Sequence, residues 1–336
     1  MKKAIFTVEE YDGASNAGPK AKVDIDHYLS QEGFQVIHQR FQVHSKIQKF
    51  KDAFWMIPHL FDHTAKFDEL IFQYPTYSSF LMRRLIPKFR SNTNKLYFVI
   101  HDVESLRIFS GNKDYWQGER LLLNSSDGLI VHNARMAKWL KDNGVTVPMV
   151  ELGVFDYDNP QDLNKDMTYR KEVCYAGNLF KSSFLNKIEL TNGKLQIFGS
   201  NPSDHYHHGV EYMGQFTPEE LPKHLTQNFG LVWDGDVLDT CGGKYGDYMR
   251  YNNPHKISLY LSSGLPVMIW KQAAEASFIV ENQLGIAVES LENLDQVLAS
   301  VSEEQFITYK QNVLKIAEKL RSGYFIKQAV EKLENL

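Results

Sequence analysis

The chain has 336 residues, 43% of them hydrophobic and 23% charged, with a formal net charge of -4; that length suits two α/β domains better than one. The slight acidity argues against a general nucleic-acid binder, whose domains are basic, and the two cysteines, Cys174 and Cys241, form no CxxC pair, which fits a reducing cytoplasm and gives no disulfide framework. The apolar run after Met1-Lys2-Lys3 is too short for a signal peptide, and no run approaches the ~18–20 residues of a membrane span. From the N-terminus, short apolar runs at residues 4–8, 34–38, 70–74, 96–101, 128–132 and 149–152 read as strands. Amphipathic stretches lie between them, for example at residues 20–31 and 134–143. Such alternation predicts a parallel sheet with helices on both faces.

Residues 153–167 are polar, carry Pro160 and show no periodicity, which reads as an interdomain linker. A second alternating series follows, with strands at residues 172–176, 195–199, 210–213, 229–233, 265–270 and 285–288. Helices fit residues 219–225, 256–262 and 274–281, and residues 303–336 read as amphipathic helix interrupted near Gly323. The sequence therefore predicts an N-terminal Rossmann-like domain over residues 1–153 and a second over residues 168–319. The last helix, about residues 320–336, is expected to return to the first.

The most informative stretch is Asn252-Asn253-Pro254-His255-Lys256, leading to Ser263-Gly264-Leu265-Pro266-Val267. Asn253-Pro254 opens a turn, and Pro254 suits a first helical turn, where its missing N–H costs little. His255 and Lys256 then fall where backbone N–H groups and the positive dipole end attract phosphate. Gly264 is expected to end the helix before the apolar run Val267-Met268-Ile269-Trp270. A cation at a helix start, on the carboxyl edge of a parallel sheet, suits a nucleotide diphosphate.

Four segments carry a resemblance: Asn16-Ala17-Gly18-Pro19-Lys20, His101-Asp102-Val103-Glu104-Ser105-Leu106-Arg107, Trp233-Asp234-Gly235-Asp236, and Tyr251 through Lys256 with Leu259 to Pro266. On them the chain resembles bacterial β-1,6-galactofuranosyltransferases and the cytosolic glucosyltransferases that extend glycans on serine-rich adhesins. The resemblance implies an α/β fold of the GT-B type, two Rossmann-like doubly wound domains facing a cleft. It implies UDP-sugar as donor substrate on the C-terminal domain, with no separate cofactor, and a glycan acceptor on lipid or glycoprotein at the N-terminal domain. It also implies a homo-oligomer in the cytoplasm, with peripheral membrane contact left open.

Donor-binding candidates follow from both lines of reasoning. Lys256 is the first phosphate ligand; otherwise it is a solvated lysine at a helix start, which the dipole disfavours. Asn252 and Asn253 either contact donor phosphate or ribose or only cap the helix, and Tyr251 either packs on the donor or is loop structure. Gly177 and Asn178 follow a strand, where glycine lets backbone approach a ligand, and Lys181 supplies a second cation where the related glucosyltransferases carry arginine. Asp234 and Asp236 look like a metal-binding DxD, yet the doubly wound pattern points to a metal-independent enzyme in which they contact sugar hydroxyls or close a loop. Glu275 either holds ribose hydroxyls or is a surface acid favoured by the dipole.

Ser15, Asn16 and Gly18 lie in a glycine-bearing turn without the GxGxxG order, expected to contact donor or acceptor sugar. Asp102 and then His101 are the candidate bases for the acceptor hydroxyl, with Glu9 and Glu10 as rivals. His205, His207 and His208 read as a solvent loop rather than a metal site. Retaining transferases of this fold carry paired glutamates at a wider spacing than Glu275 and Glu281, which favours inversion. The expected activity is hexose transfer, of galactofuranose or glucose, in cell-surface polysaccharide or adhesin glycosylation. The alternatives are a non-catalytic partner of another transferase and a UDP-sugar epimerase.

Overall fold

Short apolar strands separated by helices pair in parallel through crossovers, and this chain does so twice. The computed structural model describes residues 1–10, 17–41, 45–62 and 64–336; side chains of residues 10, 17, 18, 244 and 245 are outside that description. Two compact units result: Met1–Leu152 with Phe325–Leu336, and Gly153–Tyr324.

Unit 1 holds β1 (Lys3–Glu10), β2 (Gln35–Phe41), β3 (Phe67–Tyr74), β4 (Thr93–Ile100), β5 (Gly128–Val131) and β6 (Met149–Glu151), in the order β2-β1-β3-β4-β5-β6. All pairs are parallel. The chain steps outward from β1 to β2 and then reverses to β3, so the winding switches between β1 and β3. Strand β3 is almost wholly buried; its centre Leu70-Ile71-Phe72 is an unbroken apolar run, as burial on both faces requires, flanked by the buried polar residues Glu69 and Gln73. The register sets Phe6 beside Phe72 and Phe72 beside Phe98. Phe89, from the helix Ser79–Asn92, closes this core with ring centroids 4.8 Å from Phe6 and 5.2 Å from Phe72.

Unit 2 holds β7 (Glu172–Ala176), β8 (Lys194–Phe198), β9 (Val210–Gly214), β10 (Phe229–Val232), β11 (Val267–Trp270) and β12 (Gly285–Val288), in the order β12-β11-β10-β7-β8-β9. These pairs are parallel too, and the winding switches between β7 and β10. The helix His255–Ser262 packs on β10. Its end follows from Gly264: at φ +85° it adopts the left-handed conformation, so its N–H reaches Leu261 O at 3.0 Å and Leu265 N–H reaches Tyr260 O at 2.9 Å. This is the Schellman closure that glycine permits.

Some local expectations are revised. Pro254 is the residue before the helix, with extended backbone (φ -61°, ψ 127°), rather than a member of its first turn. Residues 219–225 give only a short 3-10 turn, Leu221–His224, because Pro222 has no N–H with which to propagate an α-helix. Residues 153–167 group with unit 2 rather than standing apart. Their asparagines find partners at the end of the helix His255–Ser262: Asn159 Nδ2 donates to Ser262 and Ser263 hydroxyls at 3.2 Å, and Asn164 N–H to Ser263 O at 3.1 Å.

The C-terminal stretch forms the helices Glu303–Arg321 and Tyr324–Glu334, separated by Gly323 at φ +72°. Within unit 1, Lys3 Nζ lies 2.5 Å from Glu334 and Lys327 Nζ 3.0 Å from Glu32. No helix among the described residues is long and apolar enough to cross a membrane.

Candidate functional site

In an open parallel sheet, ligands bind outside the carboxyl ends of the strands, where the winding switches. In unit 2 those ends are Ala176 of β7 and Val232 of β10. One side chain aligns the neighbouring helix with this point. Tyr260 lies flat on Gly230 of β10, so closely that an added Cβ would stand 2.1 Å from Tyr260 Cγ. Its hydroxyl accepts the Ala176 N–H at 2.8 Å. Lys256 precedes Tyr260 by four positions and so shares its helix face.

Lys256 Nζ donates to the Tyr175 hydroxyl at 2.9 Å and to Asp234 Oδ1 at 3.0 Å, and stands 4.4 Å from the Tyr175 ring centroid. Tyr175 in turn shares a hydrogen bond with Ser182 at 2.5 Å. Burial works against the lysine's charge, but Asp234 and Tyr175 outweigh it and hold the ammonium above its ordinary pKa. Gly177 keeps the approach narrow: a Cβ there would meet Lys256 Cε at 3.2 Å and the Tyr175 hydroxyl at 3.4 Å.

The other donor candidates distribute around this cluster. Pro254 occupies the N-cap position of the helix His255–Ser262 and its side chain makes no capping hydrogen bond. Asn253 is buried and donates through Nδ2 to Gly153 O at 2.7 Å. Asn252 Oδ1 is shielded from solvent without a hydrogen-bond partner among the described residues, a feature that buried carbonyl oxygens seldom show unless a ligand or water completes them. Tyr251 is half-buried, its N–H on Tyr248 O at 2.9 Å. His255 lies with its ring 5.1 Å from that of Tyr157 and 5.9 Å from that of Phe155.

Glu275 is buried, with 2% exposure, so it is not a surface acid. The Ala274 N–H bonds Met249 O at 2.8 Å, which ties the start of the Glu275 turn to the segment preceding Tyr251. Asn178 accepts the Phe180 N–H at 3.1 Å and so shapes the turn Leu179–Lys181, in which Lys181 is exposed. Asp234 and Asp236 diverge: the first meets Lys256, and the second accepts from the Ser183 hydroxyl at 2.8 Å. No group of three or more His, Cys, Asp or Glu able to hold a metal occurs among the described residues. His205 and His207 are exposed, and His208 Nδ1 lies 2.6 Å from Leu190 O.

In unit 1 the switch between β1 and β3 carries a row of polar side chains. Register places Thr7 beside His38, and Gln73 reaches across. Gln73 Nε2 donates toward Thr7 Oγ1 (2.8 Å), Lys22 O (2.9 Å) and Asp26 Oδ1 (2.8 Å). That leaves Gln73 Oε1 facing His101 Nε2 at 2.7 Å, a contact that a neutral His101 makes in the tautomer with its proton on Nε2. Asp26 also accepts from the Thr7 hydroxyl at 2.7 Å. Its burial pushes the carboxyl up to about 6 against the opposing pull of Thr7, His38, Gln73 and Lys22.

Asp102 accepts from the Tyr77 hydroxyl at 2.8 Å and from Arg107 Nη1 at 2.6 Å. Glu119 accepts the backbone N–H groups of Glu104 (3.0 Å) and Ser105 (2.8 Å) and the Tyr74 hydroxyl (2.9 Å), which fixes the turn after Asp102. Glu9 is held below its usual range by hydrogen bonds from His38 and Arg40. Ser15 and Asn16 lie outside the described residues, as does the Glu10 side chain; Gly18 falls in the first turn of the helix Ala17–Gln31. Beside Asp102, Tyr77 lines a cavity with Tyr74, Tyr115, Arg83, Asp114 and Glu119.

A model of the glucosyltransferase 3-like N-terminal domain matches residues 3–154, and one of the C-terminal domain of the same proteins matches residues 173–333. The chain belongs to the glucosyltransferase 3-like family of bacterial glycosyltransferases. It is 35% identical over 279 residues to the beta-1,6-galactofuranosyltransferase WbbI of Escherichia coli (strain K12), covering 79% of each chain. It is 28% identical over 267 residues to glucosyltransferase 3 of Streptococcus gordonii, covering 78% of each. Among solved structures the glycosyltransferase is similar to the sucrose-phosphate synthase of Thermosynechococcus elongatus, with TM-score 0.65, 11% identity and coverage of 99% of this chain and 98% of that one. The apo structure of OtsA gives TM-score 0.57 at 11% identity over the whole of both chains. Both likenesses concern the fold, which is GT-B, with two parallel-sheet α/β domains.

Tyr175, Ser182, Gln73 and Asp26 were not foreseen as parts of these clusters. Tyr175 near the end of an otherwise apolar strand, and Gln73 just before Tyr74, were the available signals. A polar group at the carboxyl end of a buried parallel strand needs a partner there.

Proposed function

We propose that the enzyme transfers a hexose, galactofuranose or glucose, from a UDP-sugar to a glycan acceptor, with inversion and without a metal ion. The observation that carries this reading is the Lys256–Tyr175–Asp234 cluster at the β7/β10 switch, with Gly177 beside it. The names of the relatives favour the two sugars. Lys256 stabilises the negative charge that grows on the diphosphate as the sugar departs, Lys181 is a second cation, and Asn252 supplies an oxygen still to be satisfied. Asp234 contacts sugar hydroxyls, and Glu275 holds the ribose. The separate partners of Asp234 and Asp236 support independence from a metal, since a chelating pair needs both carboxylates on one point.

In this reading the acceptor belongs to unit 1. Its hydroxyl oxygen forms a bond to the anomeric carbon as the bond from that carbon to the UDP oxygen breaks, and the hydroxyl proton goes to a base. His101 suits that role better than Asp102, which already neutralises Arg107. The Gln73 contact orients the His101 ring with Nδ1 as the basic atom. Tyr77 and Tyr115, which line the cavity beside Asp102, offer rings to a sugar, with Arg83 and Asp114 as polar partners. Both cysteines are free and buried, which agrees with a cytoplasmic enzyme.

The test is incubation of the purified protein with UDP-galactofuranose, UDP-glucose and UDP-N-acetylglucosamine, each with a panel of glycan acceptors and with excess chelator. The reading expects acceptor-dependent UDP release with one of the first two donors, an inverted anomeric product and no effect of chelation. A retained anomer, or activity abolished by chelator and restored by manganese, would refute the corresponding part.

A further inference from the structure

The helical segment Lys46–Lys51 and the π turn Asp52–Met56 carry their bulk outward. Ile47, Phe50 and Phe54 recur at helical spacing and are 74%, 61% and 45% exposed, and Trp55 is 74% exposed. The buried side of the same stretch consists of Asp52, Ala53 and Ile57. A helix folded only to fill its own core places large apolar side chains inward and small or polar ones outward; here the arrangement is reversed. The outward rings are continuous: Phe50 and Phe54 stand 4.4 Å apart, and Phe80, on the helix Ser79–Asn92, extends the patch 6.3 Å from Phe54.

The charges on and over this helix are mainly basic. Lys46, Lys49 and Lys51 lie on the same helix, and the Arg84 guanidinium covers Phe54 at 4.5 Å from the ring centroid; the exposed Asp62 nearby is paired with Lys88 at 3.6 Å. Asp52, the acid of the segment, is turned inward and accepts from Gln48 Nε2 at 2.9 Å. This basic aromatic face therefore stands out on a chain of net charge -4.

We propose that this face docks on an anionic lipid bilayer. Aromatic and aliphatic side chains enter the boundary between headgroups and acyl chains while lysines beside them are drawn to the negative surface. Contact with a second copy is the poorer match, because a two-fold contact sets the same lysines against one another. The inference goes beyond sugar transfer and does not rest on it, because its readout is binding rather than turnover.

The test is co-sedimentation of the full chain with vesicles of phosphatidylcholine alone and of phosphatidylcholine mixed equally with phosphatidylglycerol. Binding is expected to the mixed vesicles and to fall as salt is raised. Phe50→Ser with Trp55→Ser is expected to weaken the partition about 10-fold or more, and Lys49→Ala with Lys51→Ala about 25-fold, at roughly fivefold per lysine. Unchanged thermal melting of each variant shows that the fold is intact. Wild-type protein that pellets with neither vesicle overturns the proposal, and so does binding that both variants retain. A self-association of the wild type that Phe50→Ser with Trp55→Ser abolishes, without vesicle binding, assigns the face to a second copy and overturns it equally.

Discussion

Replacing Lys256 by methionine separates a phosphate ligand from a merely structural cation. Methionine preserves most of the side-chain volume on the Tyr175 ring but removes the ammonium that lies 2.9 Å from the Tyr175 hydroxyl and 3.0 Å from Asp234 Oδ1. A hydrogen bond to a charged group is worth about 1.5–3 kcal/mol, so the dissociation constant for UDP should rise about 10- to 100-fold. Folding stability should fall by about 1 kcal/mol, because Asp234, whose side chain is 29% exposed, can recruit water once its partner is gone. Isothermal calorimetry with UDP and denaturant unfolding read the two quantities independently. The double variant Lys256→Met with Asp234→Asn completes the cycle. It should recover the lost stability, since no unpaired carboxylate remains, but not the lost affinity. Recovery of UDP affinity in the double variant would mean that Lys256 only neutralises Asp234, and the phosphate assignment would be wrong.

Three further outcomes follow from the geometry. Gly230→Ala would put a Cβ 2.1 Å from Tyr260 Cγ and should destabilise unit 2 by about 3 kcal/mol or more, with partial rescue by Tyr260→Ala in a denaturation series. His101→Gln should lower turnover by about 100-fold or more while UDP affinity stays unchanged; equal losses in both would place His101 on the donor instead. Glu69 is raised from 4.5 to about 7 by burial and by Glu334, against the pull of Lys3. Its protonated form is therefore the one the fold prefers, and its contribution is complete below pH 4.5 and lost as pH rises through about 7. Glu69→Gln should flatten that dependence, by up to about 3 kcal/mol, and raise the melting temperature relative to wild type mainly above neutral pH; a parallel offset at all pH values would contradict the assignment.

Much of this architecture is written in residue pattern. The strands of both sheets lie where short apolar runs alternate with helical stretches; the central ones are clearest, because a parallel strand buried on both faces must be apolar along most of its length, whereas the edge strands β2 and β9 are largely exposed. The break at Gly323 and the closure at Gly264 are legible for a different reason: both residues take positive φ, where other residues are strained. Lys256 stands out in the sequence because the dipole disfavours a lysine at a helix start, and the structure gives it Asp234 and Tyr175 as partners. What the sequence does not carry is lateral pairing. Tyr175 meets Lys256 across 81 positions, and Gln73 meets His101 across 28; such neighbours come from strand order, which no local period encodes. Asp102 and Arg107 show the same limit at short range. Their turn is visible in the sequence, but the ion pair that commits the carboxylate depends on how Glu119 anchors that turn.

The most direct measurement is a crystal structure of the enzyme with UDP. The account predicts the β-phosphate at the β7/β10 switch, within hydrogen-bonding distance of Lys256 Nζ and close to the Gly177 backbone, with Asp234 released from or sharing the lysine. UDP seated elsewhere, with the Lys256–Asp234 pair undisturbed, would contradict it.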